Sequence, residues 1–316
     1  MKRVVIPNTD LAVSNICYGA AYCAFEDEKK YFNCLDCFID RGGSFLDTAN
    51  IYGKWLPHGT NSNEIMLGKW MRDRKNRDKI TIATKAAHPE LSAMHIHRMS
   101  YNEIVSDLNE SLSALDTDYA DILWLHRDAE NLSVGDILDI LSRVYETGKV
   151  RYFGCSNWKP ERLTQAITYA KTKGIKGFIA NQPQWSLAEP NNFYERDITA
   201  YRMDKQGIEL HKQTGLAAIP YTAQAGGFFT KYSKGGVSES LLKIYDNDAN
   251  MRIYNNMRIL SEKTGYTYTQ ISLAYLISHD FLTIPIIGSK TPEQINESVS
   301  AADIRLGKEE LERLTG

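Results

Sequence analysis

Residues 80–126 read ITIATKAAHPELSAMHIHRMSYNEIVSDLNESLSALDTDYADILWLH and contain two short apolar runs on either side of an amphipathic segment. The runs 80–85 and 121–126 are rich in the aliphatic and β-branched residues that strands favour. Between them, Ser100 and Glu103 have the spacing of a capping box, which starts a helix. Apolar residues then recur at helical spacing: Ile104, Leu108, Leu112 and Leu115. The stretch therefore predicts a strand, a helix and a second, parallel strand.

The same alternation of short apolar runs and longer amphipathic segments extends along nearly the whole chain. Eight such units favour a closed (β/α)8 barrel of the TIM type over an open doubly wound sheet of about five or six strands. The predicted strands are 15–19, 44–48, 80–85, 121–126, 150–156, 178–182, 216–221 and 283–287. At 316 residues, with no linker or low-complexity tract, the chain is expected to form a single α/β domain over 1–316.

A small hairpin is predicted before the first barrel strand. The apolar runs 4–6 and 11–13 flank Asn8, Thr9 and Asp10, which are typical turn residues. Because the hairpin precedes the barrel, we expect it to close the barrel floor.

Composition narrows the classes of partner. Lys and Arg total 37 against 39 Asp and Glu, so the net charge of -2 gives no general attraction to nucleic acid or to an anionic membrane. No apolar stretch is long enough to span a bilayer, and the first apolar run ends at Pro7, too early for a secretory leader. The five cysteines form no disulfide-framework pattern, which favours a reducing cytoplasm. The expected partner is a small molecule.

Four ionisable side chains follow three neighbouring strands. Asp47 and Tyr52 come at and after the second predicted strand, Lys85 ends the third and His126 ends the fourth. The carboxyl ends of barrel strands surround one pocket, so we expect these side chains to converge. A phenol, with a pKa of about 10, exchanges protons poorly at neutral pH unless a cation lies nearby. Lys85 is placed to be that cation, and Asp47 to keep it charged. The combination predicts a proton-transfer site.

Four motifs resemble those of the aldo-keto reductase superfamily and follow one another in the order of that family. The resemblance covers almost the whole chain. The motifs are residues 45–53 (FLDTANIYG), Lys85 after the next strand, 111–126 ending at His126, and 148–157 (GKVRYFGCSN). The resemblance implies an NAD(P)H-dependent reductase that converts an aldehyde or ketone to the alcohol. Asp47, Tyr52, Lys85 and His126 would be its catalytic residues, with Tyr52 giving the proton. No metal is implied.

The same resemblance implies a set of residues that bind the nicotinamide cofactor. Ser156, Asn157 and Gln182 would hold the carboxamide, and Tyr221 would stack on the nicotinamide ring. Thr222 lies in the following loop, whose wording departs from the family's usual Ser-Pro-Leu. The implied residues at the adenosine end are Gly288, Ser289, Lys290, Gln294, Glu297 and Ser298. Lys290 and Ser289 favour NADP(H) over NAD(H), although Gln294 stands where many members have arginine and Ser298 where most have asparagine.

Several interpretations stay open at this stage. Two tryptophans are candidate walls of a substrate pocket for an aryl aldehyde, a dicarbonyl or a sugar-type carbonyl. Trp55 follows Tyr52 in a loop that continues to Pro57 and His58, and Trp124 lies two residues before His126. Ser156, Asn157 and Gln182 have the alternative of simply capping loops. Some members of the superfamily are cofactor-sensing regulatory subunits with slow turnover, and this is the alternative function. His88, His95 and His97 suggest a metal-dependent hydrolase less well, because they belong to a loop. Oligomeric state and natural substrate are not indicated.

Overall fold

Eight parallel strands form the centre of the molecule in this computed structural model, which describes residues 1–22, 27–56, 60–192 and 197–315. They are β3 (Cys17–Gly19), β4 (Phe45–Asp47), β5 (Thr81–Ala86), β6 (Ala120–Leu125), β7 (Val150–Ser156), β8 (Phe178–Gln182), β9 (Ala217–Ala218) and β10 (Ile286–Ile287). The strands follow one another around the sheet in chain order, and β10 returns to pair with β3. This is the order that a (β/α)8 barrel requires.

The segment before β10 closes the barrel. Ala218 forms a parallel bridge with Thr283. The amide of Ala218 donates to the backbone oxygen of Leu282, and the amide of Ile284 donates to the backbone oxygen of Ala218. The last two strands are nevertheless shorter than the predicted 216–221 and 283–287. Pro220 and Pro285 lie inside those runs, and a proline has no amide hydrogen to continue a strand ladder.

The predicted hairpin is present at the start of the chain and covers one end of the barrel. Strand β1 (Arg3–Val5) pairs antiparallel with β2 (Ala12–Ser14). Its apolar side chains Ile6, Leu11 and Val13 are buried in the same cluster as the inward side chains of the barrel strands. The hairpin therefore plugs the barrel floor.

The pleat of β6 shows how the two sides of the barrel wall are filled. Ile122 and Trp124 belong to the cluster inside the barrel, whereas Leu123 and Leu125 belong to the cluster between the sheet and the outer helices. Side chains that alternate along a strand face opposite sides of the sheet, so the wall is apolar on both.

Helices surround the sheet. They are α1 (Glu28–Asp40), α2 (Ser62–Arg74), α3 (Tyr101–Leu115), α4 (Val134–Tyr145), α5 (Pro160–Lys173), α6 (Lys205–Thr214), α7 (Phe228–Ser233), α8 (Glu239–Tyr245), α9 (Asp248–Thr264), α10 (Tyr268–Ile277), α11 (Pro292–Val299) and α12 (Lys308–Thr315). The predicted capping box starts α3, where Ser100 and Glu103 each bond the other's backbone amide. Within the described ranges, no helix combines the length and apolar character needed to cross a bilayer.

Candidate active site

A buried ion pair lies at the carboxyl ends of β4 and β5. The Nζ of Lys85 is 2.5 Å from Oδ2 of Asp47, and the side chains are 1% and 4% exposed. Lys85 also donates to the backbone oxygen of Thr48 at 2.7 Å and to the hydroxyl of Tyr52 at 3.3 Å. The three hydrogens of the ammonium group thus all have acceptors.

This arrangement keeps Lys85 charged in a dry environment. Burial by itself lowers the pKa of Lys85, but Asp47 and then Tyr52 raise it, and the net pKa lies above the usual lysine value. The second carboxylate oxygen of Asp47 accepts from Nε1 of Trp124 and from Nε2 of Gln182, both at 3.0 Å. Because both oxygens of Asp47 are occupied, its orientation toward Lys85 is fixed.

Tyr52 stands at the outer end of this chain of contacts. The ammonium group of Lys85 lies 4.8 Å from the centre of its ring as well as within reach of its hydroxyl. Since the Tyr52 oxygen accepts from Lys85, the hydroxyl proton is left to be donated elsewhere. A cation at this point stabilises the phenolate that forms when that proton leaves.

His126 lies beside Tyr52 as an uncharged ring. The ring centres of Tyr52 and His126 are 6.2 Å apart, and the ring centre of His88 lies 4.7 Å from that of His126, with the two histidine planes at 70°. Burial, followed by Arg127, Lys85 and His88, holds the pKa of His126 well below its usual range. A neutral imidazole at this position offers a hydrogen bond without adding charge to the site. The structure thus brings Asp47, Tyr52, Lys85 and His126 together, as the sequence predicted.

The residues expected at the nicotinamide form one internal hydrogen-bond network. Ser156 donates to the backbone oxygen of Gln182 at 2.8 Å, and Nδ2 of Asn157 donates to Ser156 and to the backbone of His126. The Oδ1 of Asn157 accepts from the amide of Tyr201 and from the hydroxyl of Tyr221 at 2.8 Å. Their polar atoms therefore brace the carboxyl ends of β7 and β8, which is the loop-capping role that the sequence left open. Their contact with a cofactor stays a prediction.

The residues expected at the adenosine end also lie together, after β10 and on α11. Ser289 and Ser298 are buried with their hydroxyl oxygens 3.1 Å apart, and Gln224 donates to Ser298 at 3.1 Å. Gln224 belongs to the loop that contains Thr222, so this bond connects that loop to α11. The Oε1 of Gln294 accepts from the backbone amide of Lys290, so the Gln294 side chain is bound to the loop between β10 and α11.

Two features of this end fit a phosphate-bearing ligand. Around Gly288, no described atom beyond its two chain neighbours lies within 4 Å of the place that a Cβ would take, so the backbone is open to close approach. Lys290 is exposed and forms no ion pair within the described part of the chain, while Glu297 on α11 is partly buried. An exposed ammonium without an ion-pair partner, next to an open backbone, suits a phosphate.

The two predicted pocket tryptophans occupy different depths. Trp55 is half exposed and its ring meets that of Tyr52 edge-on, with centres 5.9 Å apart, which suits a wall of the pocket. Trp124 is wholly buried, and its ring lies against Gly154 beneath the ion pair. The strand pattern gave its side of the sheet correctly but not its depth, so Trp124 supports Asp47 instead of forming an accessible wall. Pro57 and His58 lie outside the described residues.

Residues that the sequence analysis did not select also border the site. Arg127 donates to the backbone of His126 and to Thr199, and pairs with Asp197 at 3.0 Å. Its position directly after His126 was the available signal. From the sequence, His88 is a candidate only for metal binding, together with His95 and His97. In the described ranges, no group of three His, Cys, Asp or Glu side chains is arranged to hold a metal ion.

A family model, the Aldo/keto reductase family, matches residues 15–316. The chain therefore belongs to this family of oxidoreductases.

Individual relatives agree with this family assignment. An uncharacterized oxidoreductase of Bacillus subtilis (strain 168), YrpG, is 28% identical and aligns over 99% of this chain and 95% of its own. A probable aryl-alcohol dehydrogenase of Saccharomyces cerevisiae (strain ATCC 204508 / S288c), AAD4, is also 28% identical, over 91% of this chain and 87% of its own. A solved thermostable aldo-keto reductase, Tm1743, in complex with the inhibitor epalrestat, superposes with a TM-score of 0.74 at 19% identity, covering 100% and 99% of the two chains. This last similarity confirms the barrel fold.

Proposed function

We propose that this protein catalyses the NAD(P)H-dependent reduction of an aldehyde or ketone to the corresponding alcohol. The observation that carries the proposal is the buried ammonium of Lys85, which contacts both Asp47 and the hydroxyl of Tyr52. A buried cation that joins a carboxylate to a phenol is suited to proton transfer and has little structural advantage over an apolar contact. Membership in the aldo/keto reductase family indicates the class of reaction, carbonyl reduction, in which this Asp47, Lys85 and Tyr52 arrangement would act.

The proposed steps use each group in its observed place. When bound, a nicotinamide dinucleotide would supply the hydride for the carbonyl carbon. Tyr52 gives its hydroxyl proton to the carbonyl oxygen, so that the alcohol forms and a phenolate remains. Lys85 stabilises that phenolate, and Asp47 keeps Lys85 charged. The neutral ring of His126 orients the carbonyl oxygen by a hydrogen bond, and Tyr52 regains its proton from solvent.

For the cofactor we propose NADP(H) in preference to NAD(H). Support comes from Lys290, which directly follows Ser289 in the chain, is exposed and forms no ion pair among the described residues. These groups would bind the additional phosphate, with Gly288 allowing close approach. Further along the same face, the nicotinamide end would be held by Thr222, Tyr221, Ser156, Asn157 and Gln182. The adenosine end would be held by Gln294, Glu297 and Ser298.

Of the possible substrates, we propose an aryl carbonyl compound in preference to a sugar. Trp55 presents a half-exposed ring next to Tyr52, and the loops after β4, β5 and β8 expose further large apolar side chains. These side chains are Leu56, Leu91, Ile96 and Ile198. An apolar rim suits an aromatic body better than a polyhydroxylated one. The relative named as an aryl-alcohol dehydrogenase is consistent with this class.

The chain is proposed to work as one barrel domain with a small-molecule partner. A cytoplasmic location remains a prediction from the cysteines, of which the four described are free thiols.

The test follows the absorbance of NADPH and of NADH while aryl aldehydes, dicarbonyls and aldoses are supplied in turn. The wild-type protein should oxidise the cofactor only when a carbonyl compound is present. Tyr52→Phe should lower kcat by a hundredfold or more, on the order of a lost general acid, with unchanged cofactor binding. Tyr152→Phe is the matched control, because it removes a phenol that contacts Asp10 of the hairpin at the opposite end of the barrel. Tight cofactor binding without turnover on any carbonyl would contradict the proposal and favour a cofactor-sensing subunit.

A further inference from the structure

His88 occupies a place beside His126 that the chain secures with several contacts. Strand β5 ends at Ala86, and Ala87 then takes a left-handed backbone conformation with φ of 63°. Such a conformation is uncommon and strained for a residue with a side chain. It turns the chain sharply just before His88, so the direction of His88 is maintained against local preference.

A buried carboxylate on α3 holds this turn. Oδ2 of Asp107 accepts from the amide of Ala87 at 2.9 Å, and Arg98 binds both oxygens of Asp107 at 3.0 and 2.7 Å. Arg98 also donates to the backbone oxygen of His88 at 3.1 Å. The backbone on both sides of the imidazole is thereby connected to one rigid helix.

The same helix residue reaches the loop that carries Tyr52. The side chain of Asn50 donates to the backbone oxygen of Asp107 at 3.3 Å. Asp107 therefore holds the loops of both Tyr52 and His88, whose rings each pack on His126, relative to one point of α3.

The ring of His88 is also fixed in its protonation and orientation. Its Nδ1 lies 2.6 Å from the carbonyl oxygen of Pro89, and because that oxygen only accepts, Nδ1 carries the hydrogen. The ring is buried, and burial lowers the pKa of His88, so an uncharged imidazole faces His126.

His126 needs such a neighbour because its own ring lacks the usual support. A histidine that acts through one nitrogen is normally oriented by a hydrogen bond at the other. The Nδ1 of His126 is buried and has no hydrogen-bond partner among the described residues. Two rings pack edge-on against it, Tyr52 at 6.2 Å and His88 at 4.7 Å, and His88 is the nearer.

We propose that His88 is a positioning residue that holds the His126 ring, by edge-to-face packing, in the orientation needed to bind the substrate carbonyl. The inference rests on the proposed reductase function. Packing by an aromatic ring, and not a polar contact of His88 with the substrate, is the essential element.

The test compares His88→Ala with His88→Phe in steady-state reduction of an aryl aldehyde, alongside cofactor binding and thermal unfolding. His88→Ala should lower kcat/KM by about tenfold to a hundredfold, as expected for a misplaced catalytic group, with cofactor affinity unchanged. His88→Phe keeps an aromatic ring and should recover most of the loss. His88→Gln provides the ring-free comparison if the alanine variant does not fold.

His211→Ala is the matched control. His211 is also buried, and its Nδ1 likewise lies close to a backbone oxygen, that of Leu216 at 2.7 Å, but it belongs to α6 and stacks on Phe281. This variant should lose thermal stability and keep its kinetic constants. Unchanged kcat/KM in His88→Ala, or a phenylalanine variant as poor as the alanine variant, would overturn the positioning role while wild-type turnover upheld the reductase. Absence of turnover in the wild type would overturn both.

Discussion

The indole Nε1 of Trp124 donates a hydrogen bond to Oδ1 of Asp47 at 3.0 Å from beneath the site. Trp124 is wholly buried and directly opposite Lys85 in the register of β5 and β6. The tryptophan thus holds the carboxylate on the side away from Lys85. Gln182, from the other side of the barrel, donates to the same oxygen. The charge of Lys85 therefore depends on Asp47, whose orientation is set by side chains from β5, β6 and β8.

Trp124→Phe should weaken catalysis without disrupting the barrel. The phenyl ring fills most of the indole volume, but the hydrogen bond to Asp47 is lost, and bonds to charged groups contribute about 1.5–3 kcal/mol. We expect kcat to fall roughly tenfold at unchanged cofactor affinity. Steady-state kinetics and cofactor titration measure the two quantities. Trp158→Phe is the control, since Trp158 is equally buried but lies in the outer cluster against Phe178. An equal loss of activity in both variants would assign the effect to packing alone.

Asp47 and Lys85 should show strong coupling in a double-mutant cycle. Asp47→Asn leaves a buried ammonium without its anion, and Lys85→Met leaves a buried carboxylate without its cation. Each single variant should lose about 3–5 kcal/mol of unfolding free energy in urea. The double variant should lose much less than the sum, because no uncompensated charge remains. Strict additivity would show that the two charges are not paired in solution, contrary to the observed contact.

Lys290 should decide the choice between the two nicotinamide cofactors. If its ammonium binds the additional phosphate, Lys290→Ala raises the Kd of NADPH by roughly tenfold, the effect of one lost charge-assisted contact. The Kd of NADH should change little. Quenching of protein fluorescence on titration gives both constants. Lys308→Ala removes another exposed lysine, on α12, and should alter neither. Equal weakening of both cofactors by Lys290→Ala would exclude selective phosphate recognition.

The sequence predicted the barrel and the four central site residues for a physical reason. Strand ends of a parallel barrel converge, so residues far apart in the chain, such as Asp47 and His126, meet once the strands are recognised. The burial of individual side chains was harder to predict, because the period of a strand gives the side of the sheet on which Trp124 lies but not its exposure. The bond from Gln182 to Asp47 and the packing of His88 on His126 depend on side-chain rotamers and on a left-handed turn at Ala87. Local sequence does not encode these features.

His279 should make the fold sensitive to mild acid. It lies after α10 with its ring against those of Trp185 and Phe281, and its buried Nε2 has no hydrogen-bond partner within the described chain. Burial, with a smaller contribution from Lys212, lowers the pKa of His279 from 6.5 to about 4.

The unfolded chain binds a proton at His279 at higher pH than the folded protein does. Unfolding free energy is therefore lost as pH falls from about 6.5 toward 4, by roughly 2 kcal/mol for this residue after allowance for its partial exposure. His279→Phe, which keeps the aromatic packing and cannot be protonated, should reduce the slope of unfolding free energy against pH in that window. Urea unfolding at about pH 4.5, 5.5 and 7 measures the slope. His95→Gln removes an exposed histidine and should leave it unchanged. A slope for His279→Phe equal to that of the wild type would mean that His279 is already protonated, or already accessible to water, in the folded protein.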